Sequence, residues 1–209
     1  MANVLMINGS PHADGCTFTA LSEVAGQLEK AGIATRIHHI GTRPIQGCVA
    51  CRKCAETGTC VFKDDAVNAC ADLLRAADGL VVGSPVYYAA PNGALCAFLD
   101  RLFFLKAAGY AHKPAAAIVN CRRGGASAAF DRLNKYFTIS SMPVVSSQYW
   151  NATHGTTPDE VRRDAEGLQV MRTLGRNMAW LVRCIEAAKG TVPYPEREPP
   201  LRTNFIREE

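Results

Sequence analysis

The chain has 209 residues, of which 48% are hydrophobic and 20% are charged, a composition typical of one globular domain with a sizeable core. Its net charge is only +4 and its basic residues are interspersed with acidic ones, which argues against a nucleic-acid-binding protein. The first ten residues, MANVLMINGS, carry no basic region and only a short apolar run, which argues against a signal peptide and a membrane span. We therefore expect a cytoplasmic protein with no nucleic-acid or membrane partner.

Five stretches are predicted to be β-strands, four of them apolar runs and the second more polar, as suits a sheet edge. They are residues 4–7, 33–40, 79–83, 115–119 and 143–147. Apolar residues at helical spacing follow each of these stretches. The predicted helical faces are Leu21, Val24, Ala25 and Leu28, then Val67, Cys70, Ala71 and Leu74, then Leu95, Phe98, Leu99 and Leu102, then Phe130, Leu133 and Phe137, and last one long helix from Pro158 to about Lys189.

This alternation predicts an α/β fold with helices on both faces of a parallel sheet, because parallel strands need crossover connections. Ligands of such folds bind at the carboxyl ends of the strands. We assign residues 1–190 to this domain and residues 191–209 to a C-terminal tail. The tail has four prolines and is either a loosely ordered terminus or an arm over a partner subunit, anchored by Leu201, Phe205 and Ile206.

The first loop at that edge, NGSPHADGCTFT at residues 8–19, is polar and glycine-bearing and leads into a helix. Ser10 and Thr17 offer hydroxyl groups to a phosphate, and Gly15 lets the backbone approach it. The loop lacks the fingerprints of nucleoside triphosphate and Rossmann dinucleotide sites. The alternative interpretation is an ordinary helix cap.

A later loop, within GSPVYYAAPNGALCAFLDR at residues 83–101, places Pro85, Val86, Tyr87 and Tyr88 at the end of the third strand. Apolar and aromatic groups there suit a planar ring, although two tyrosines taken alone are more often packing residues. Together with the phosphate loop they indicate a flavin.

Four thiols lie within the cysteine segment, residues 47–60, in the spacing C-x2-C-x2-C-x5-C. In a reducing cytosol, clustered cysteines indicate metal binding or redox chemistry more than structural disulfides. The compact spacing of Cys48, Cys51, Cys54 and Cys60 favours a [4Fe–4S] cluster, whereas structural zinc sites usually have two separated knuckles. A cluster, redox-active thiols without metal, and zinc all stay open on spacing alone.

The segments INGSPHADGCTFTAL and GSPVYYAAPNGALCAFLDRLF, with the cysteine segment, resemble the flavodoxin-fold FMN reductases and in particular their iron–sulfur flavoprotein branch. The resemblance implies a flavodoxin-like three-layer sandwich with a five-stranded parallel sheet of order 2-1-3-4-5, FMN as the cofactor and NAD(P)H as a donor. By position it implies phosphate contacts from Ser10, Gly15, Cys16 and Thr17, ring contacts from Pro85, Val86, Tyr87 and Tyr88, polar contacts from Asn92 and Gly93, and a pyrimidine-side loop of Arg122, Arg123, Gly124 and Gly125. The chain departs from the family pattern at His12 and Cys16, which puts more weight on backbone N–H groups at the phosphate.

The leading functional hypothesis is an FMN-dependent NAD(P)H oxidoreductase that reduces a quinone, a flavin or another small reducible aromatic. No catalytic side chain is predicted, because flavin N5 accepts the hydride and the protein supplies position and electrostatics. The alternative is an electron carrier that takes electrons from ferredoxin through a cluster at Cys48, Cys51, Cys54 and Cys60 to FMN. A third hypothesis is a flavin-binding module without turnover. The long last helix and the tail predict a homodimer or homotetramer.

Overall fold

Five parallel strands form the centre of the computed structural model, which describes residues 1–105, 109–196, 198–199, 201 and 203. The strands are β1 (Asn3–Asn8), β2 (Ala34–His39), β3 (Gly79–Tyr87), β5 (Ala115–Cys121) and β6 (Ala152–His154), in the spatial order β2-β1-β3-β5-β6. A two-residue strand, β4 (Ala90–Pro91), pairs antiparallel with the end of β3. Without this hairpin the order is 2-1-3-4-5, and the predicted flavodoxin-like sheet is confirmed.

Helices cover both faces of the sheet, as the sequence predicts. They are α1 (Cys16–Lys30), α2 (Cys54–Thr57), α3 (Val67–Ala76), α4 (Gly93–Phe104), α5 (Ala126–Ile139), α6 (Pro158–Arg163) and α7 (Ala165–Ala188). Helices α3, α4 and α5 pack on one face of the sheet against residues such as Leu5 and Ile7, and α1 and α7 pack on the other against Val4 and Met6. The central strands are therefore buried on both faces, which explains their continuous apolar runs.

The prediction of the fifth strand at residues 143–147 is wrong in position. Val145 N does donate to Ala115 O over 2.9 Å, but the strand that continues the sheet is β6, further along the chain. Between them, Asn151 is buried and its amide donates to Ala117 O over 3.0 Å. A buried asparagine in a polar stretch has no apolar signature, so hydrophobicity favoured the preceding residues.

The long helix predicted from Pro158 to Lys189 is two helices. Asp164 has non-helical backbone angles between α6 and α7, and its carboxylate accepts from Gly167 N over 2.9 Å. Aspartate is a preferred N-cap because it satisfies an amide that the helix leaves unpaired. The apolar stripe continues across this break, so hydrophobic periodicity alone predicts one uninterrupted helix.

The tail beyond residue 190 is only partly described. Leu201 is fully exposed, and Phe205 and Ile206 lie outside the described residues. The inter-subunit arm and the homo-oligomer therefore stay predictions. Within the described part of the chain, no helix combines the length and apolarity that a membrane crossing requires.

Two residues of α5 test the packing on the sheet. Phe137 is fully buried and Ile139 is 85% exposed. We expect Phe137→Ala to lower the free energy of unfolding by about 3–5 kcal/mol, because it removes a buried ring and leaves a cavity. Ile139→Ala should change it by less than about 0.5 kcal/mol. Urea denaturation measures both, and similar losses in the two variants would contradict the described core.

Candidate functional site

Three loops meet at the carboxyl edge of the central strands. Gly9 N donates to Gly83 O over 2.9 Å, which brings the loop after β1 against β3. The Asn92 amide donates to Gly9 O over 2.7 Å, which adds the start of α4. A Cβ on Gly125 would lie 2.7 Å from Ala89 Cα, so the loop after β5 touches the β3–β4 turn. The structure thus brings together the three segments from which the sequence predicts a flavin site.

The loop between β1 and α1 is held by a buried asparagine. Asn8 Oδ1 accepts from Ser10 N over 3.0 Å, and Asn8 Nδ2 donates to Ala13 O over 3.0 Å. Ser10 Oγ accepts from His12 N over 3.1 Å, and its own hydroxyl hydrogen has no acceptor among the described residues. On the other side, His39 Nε2 lies 2.8 Å from Ser10 O. Sequence reasoning missed Asn8 and His39, although a polar residue that ends a buried apolar strand is a usable signal.

The first turn of α1 has the features of an anion site. Thr17 is 1% exposed, and its hydroxyl has no hydrogen-bond partner among the described residues. A buried hydroxyl without a partner costs stability, so an acceptor from outside the chain fits here. Gly15 precedes the helix without a side-chain cap, which leaves the first N–H groups of α1 free. Burial raises the pKa of the Cys16 thiol, so this neighbour stays uncharged beside an anion.

The turn between β3 and β4 is strained. Tyr88 and Ala89 both have left-handed backbone angles, with φ of 50° and 59°. Such angles suit a two-residue hairpin turn but normally require glycine or asparagine. Tyr88 is fully exposed, Tyr87 is 45% exposed, and Pro85 and Val86 are half-buried below them. Strain and exposed aromatic rings at one edge are typical of a binding site.

The remaining predicted flavin contacts divide into two groups. Arg122, Arg123 and Gly124 are exposed, and neither arginine takes part in an ion pair in the part of the chain that the structure describes, so their charge is available to a ligand. Both polar atoms of the Asn92 side chain already have hydrogen-bond partners. Its Oδ1 caps α4 by accepting from Ala94 N over 3.0 Å, and its amide donates to Gly9 O. Asn92 therefore positions the loops, and Gly93 beside it is exposed.

The four cysteines of the cysteine segment line one small, partly open pocket with a volume of about 20 Å³. All four are free thiols, and Cys54 is buried whereas Cys48 and Cys51 are exposed. Burial, followed by the negative potential of the other three sulfurs, raises the pKa of Cys54. Within residues 1–105 and 109–196, no three potential ligands are already close enough to hold an ion. The four thiols therefore share one pocket without converging on a single ion.

Arg101 of α4 also lines this pocket, and its buried side chain forms an ion pair with Asp65. Sequence analysis missed this residue, because its apolar neighbours on α4 predict only a core helix. A basic residue between Leu99 and Leu102 was the available signal.

Residues 2–157 match the family described as NADPH-dependent FMN reductase. Because this match covers most of the chain, the protein belongs to the NADPH-dependent FMN reductase family of flavin-dependent oxidoreductases.

Curated relatives are named iron–sulfur flavoproteins. One from Methanocaldococcus jannaschii is 29% identical over 191 residues, which cover 88% of this chain and 98% of that protein. A second from the same organism is 30% identical, with 83% of this chain and 93% of the relative covered. One from Methanosarcina thermophila is 24% identical, with 86% and 95% covered. These names agree with the resemblance seen in the sequence.

Solved structures support the fold. RosB with a bound 8-demethyl-8-formylriboflavin-5′-phosphate intermediate has a TM-score of 0.69 and 17% identity, and the alignment covers 100% of this chain and 95% of RosB. The NAD(P)H:(acceptor) oxidoreductase FerB from Paracoccus denitrificans has a TM-score of 0.56 and 16% identity, with 90% and 98% covered. The flavodoxin-like fold is therefore shown by comparison as well as by topology.

The strained turn yields a prediction for the flavin-free protein. We expect Ala89→Gly to raise the free energy of unfolding by about 1 kcal/mol, because glycine adopts the left-handed conformation without the cost that alanine carries. The control is Ala97→Gly in the middle of α4, where the same loss of a methyl group should lower it by roughly 0.5–1 kcal/mol. Thermal and urea unfolding measure both, and a destabilised Ala89→Gly variant would contradict the strain.

Proposed function

We propose that this protein is an iron–sulfur flavoprotein that carries electrons between a ferredoxin-like donor and FMN, with a [4Fe–4S] cluster on Cys48, Cys51, Cys54 and Cys60. The observation that carries the proposal is the shared pocket of these four free thiols in a flavodoxin-like fold. The relatives named iron–sulfur flavoproteins favour this second hypothesis of the sequence analysis over the plain NAD(P)H reductase.

The carboxyl edge of the sheet offers suitable partners to both the phosphate and the ring of FMN. The unpartnered Thr17 hydroxyl, the free hydrogen of Ser10 and the open N–H groups of α1 suit one phosphate. Tyr87 and Tyr88 offer apolar faces to a flat ring, and Arg122 and Arg123 offer positive charge to the side of the ring that becomes anionic. Bound FMN supplies both hydride and single-electron chemistry.

The cysteine pocket fits an iron–sulfur cluster in donor type and number, since four thiolates are the usual ligand set. A cluster supplies single-electron transfer. The chain contributes the sulfur ligands, the mostly apolar lining from Val49, Val61 and Phe104, and the buried Arg101 at the inner wall. These three apolar side chains are exposed, whereas Arg101 and Cys54 are buried.

The plain NAD(P)H oxidoreductase stays a second candidate, with a quinone, a flavin or another small aromatic as acceptor. The observation that favours it is the exposure of Tyr87 and Tyr88, which leaves the flavin edge open to a second planar molecule. Anaerobic mixing of the protein loaded with both FMN and the reconstituted cluster with NADH, NADPH or reduced ferredoxin separates the two functions. The proposal expects fast flavin reduction by ferredoxin and slow reduction by both nucleotides, and the reverse order would overturn it.

Thr17→Val tests the phosphate site, because it removes the hydroxyl and keeps the shape of the side chain. We expect FMN affinity to fall by about 10- to 100-fold, from the loss of a hydrogen bond to a charged oxygen of about 1.5–3 kcal/mol. The flavin-free variant should be at least as stable as wild type, because a buried unpaired hydroxyl is removed.

The matched control is Thr19→Val, two residues further along α1, where the hydroxyl already donates to Gly15 O over 3.2 Å. Its FMN affinity should stay within about twofold of wild type. Fluorescence titration of the flavin-free proteins gives both values, and unchanged affinity in Thr17→Val would remove Thr17 from the site.

The cluster is tested by anaerobic reconstitution of wild type and of Cys54→Ser. Wild type should take up about four irons per chain. Cys54→Ser should lose most of this iron and keep its FMN, because the flavin loops are separate segments. Cys184→Ser on α7, an exposed cysteine far along the chain, is the control and should keep the iron. Zinc copurifying in place of iron, or iron below about half an atom per chain in wild type, would refute the cluster.

A further inference from the structure

We propose that Arg101 is the residue that shapes the cysteine segment and supports Cys60 as a cluster ligand, an inference that rests on the function proposed above. The side chain of Arg101 comes from α4, whereas its partners come from the chain around the cysteines, up to 55 residues away in sequence. It is a positioning residue, since it acts through the ligand.

All hydrogen-bond donors of the Arg101 guanidinium have acceptors in or beside the cysteine segment. Nε donates to Cys60 Sγ over 3.2 Å. Nη1 donates to Gln46 O over 3.2 Å, and Nη2 donates to Phe62 O over 3.3 Å. Both terminal nitrogens also donate to the carboxylate of Asp65. Because a guanidinium has five N–H groups, none is left over for another role.

These acceptors lie on both sides of the four cysteines. Gln46 precedes the first cysteine, while Phe62 and Asp65 follow the fourth. One guanidinium therefore joins the two ends of the loop and fixes how far apart they are. Asp65 Oδ1 also accepts from Val67 N over 3.1 Å, so the same contact connects the loop to the start of α3.

The ion pair between Arg101 and Asp65 is buried. The Arg101 side chain is 1% exposed and that of Asp65 is 9% exposed. The ring of Phe62 covers the guanidinium at 5.0 Å from its centroid. Since a buried charge is tolerated only when it is paired and hydrogen-bonded, Asp65 is what allows Arg101 to lie beside the sulfur of Cys60.

A charged N–H donor on a ligand sulfur has a direct chemical consequence. Electron uptake makes a cluster and its thiolate ligands more negative, and hydrogen bonds to the sulfurs stabilise that state. Arg101 should therefore raise the reduction potential of the cluster. Among the four cysteines in the described chain, Cys60 alone accepts from a charged group, whereas Cys54 Sγ donates to Phe104 O over 3.7 Å.

Two variants separate this role from general stability. Arg101→Lys keeps the charge but loses the planar fork, since an ammonium cannot reach acceptors on both sides of the loop. The double variant Arg101→Met with Asp65→Leu removes both buried charges together, a change that proteins often tolerate. The control is Arg132→Met, which breaks a half-exposed ion pair of 3.6 Å to Asp100, the neighbour of Arg101 on α4.

Each protein is measured in three ways. Hydrogen exchange of the metal-free, FMN-loaded form reports the order of residues 46–65, iron release to a chelator reports cluster retention, and an anaerobic redox titration reports the cluster and FMN potentials. In both Arg101 variants we expect faster exchange across residues 46–65, iron release faster by about 10- to 100-fold and a lower cluster potential, with FMN potential and affinity unchanged. Arg132→Met should match wild type in all three.

The outcomes distinguish the inference from the function on which it rests. If wild type binds no cluster, the proposed function fails, and the hydrogen-exchange comparison still tests whether Arg101 orders the loop. If wild type binds the cluster and both Arg101 variants keep wild-type exchange, iron release and potential, the inference is wrong and the function stands. Equal losses in Arg132→Met would show a general weakening of α4 and would also overturn the inference.

Discussion

The close approach of the β1–α1 loop to β3 is the constraint on which the rest of the site depends. A Cβ on Gly9 would lie 2.4 Å from Leu95 Cδ2 and 2.9 Å from Gly83 O, so a larger residue would displace the Leu95 side chain and press on the backbone of β3. Because Gly9 lies this close to β3, its N–H can donate to β3 and its C=O can accept from Asn92. This contact sets the distance between the loop and the sheet, and hence the position of Thr17 in the first turn of α1.

Helix α4 links the two candidate sites. Its first residues follow Asn92 at the flavin loops, and its last turns carry Arg101 and Phe104 into the cysteine pocket. Twelve helical residues span about 18 Å, and the apolar face of this helix is buried against the sheet. The two sites therefore share a rigid support while their own side chains come from different segments.

Much of the fold could be predicted from sequence, because its determinants are local. Apolar runs such as VLMI and AAAIV indicate buried parallel strands, and the loops that follow them must lie at one edge. The errors arise where a polar residue decides the geometry: Asn151 shifts the last strand, and Asp164 divides the last helix. The site residues that could not be predicted from the sequence are those whose partners lie far away along the chain. Arg101 and Cys60 are 41 residues apart, and no local pattern pairs them.

The uneven burial of the four thiols implies an order in which the pocket is completed. Cys54 is buried and Cys60 is held by Arg101, whereas Cys48 and Cys51 are exposed next to Ala50 and Arg52, which have left-handed backbone angles. Under the proposed function, Cys54 and Cys60 are therefore the ligands already held in the pocket, and Cys48 and Cys51 are the ones that would join last. Without the proposed cluster, these two exposed thiols are open to oxidation to a disulfide, which would remove two of its ligands. Under the proposed function, assembly of the cluster therefore has to precede oxidation of these two thiols.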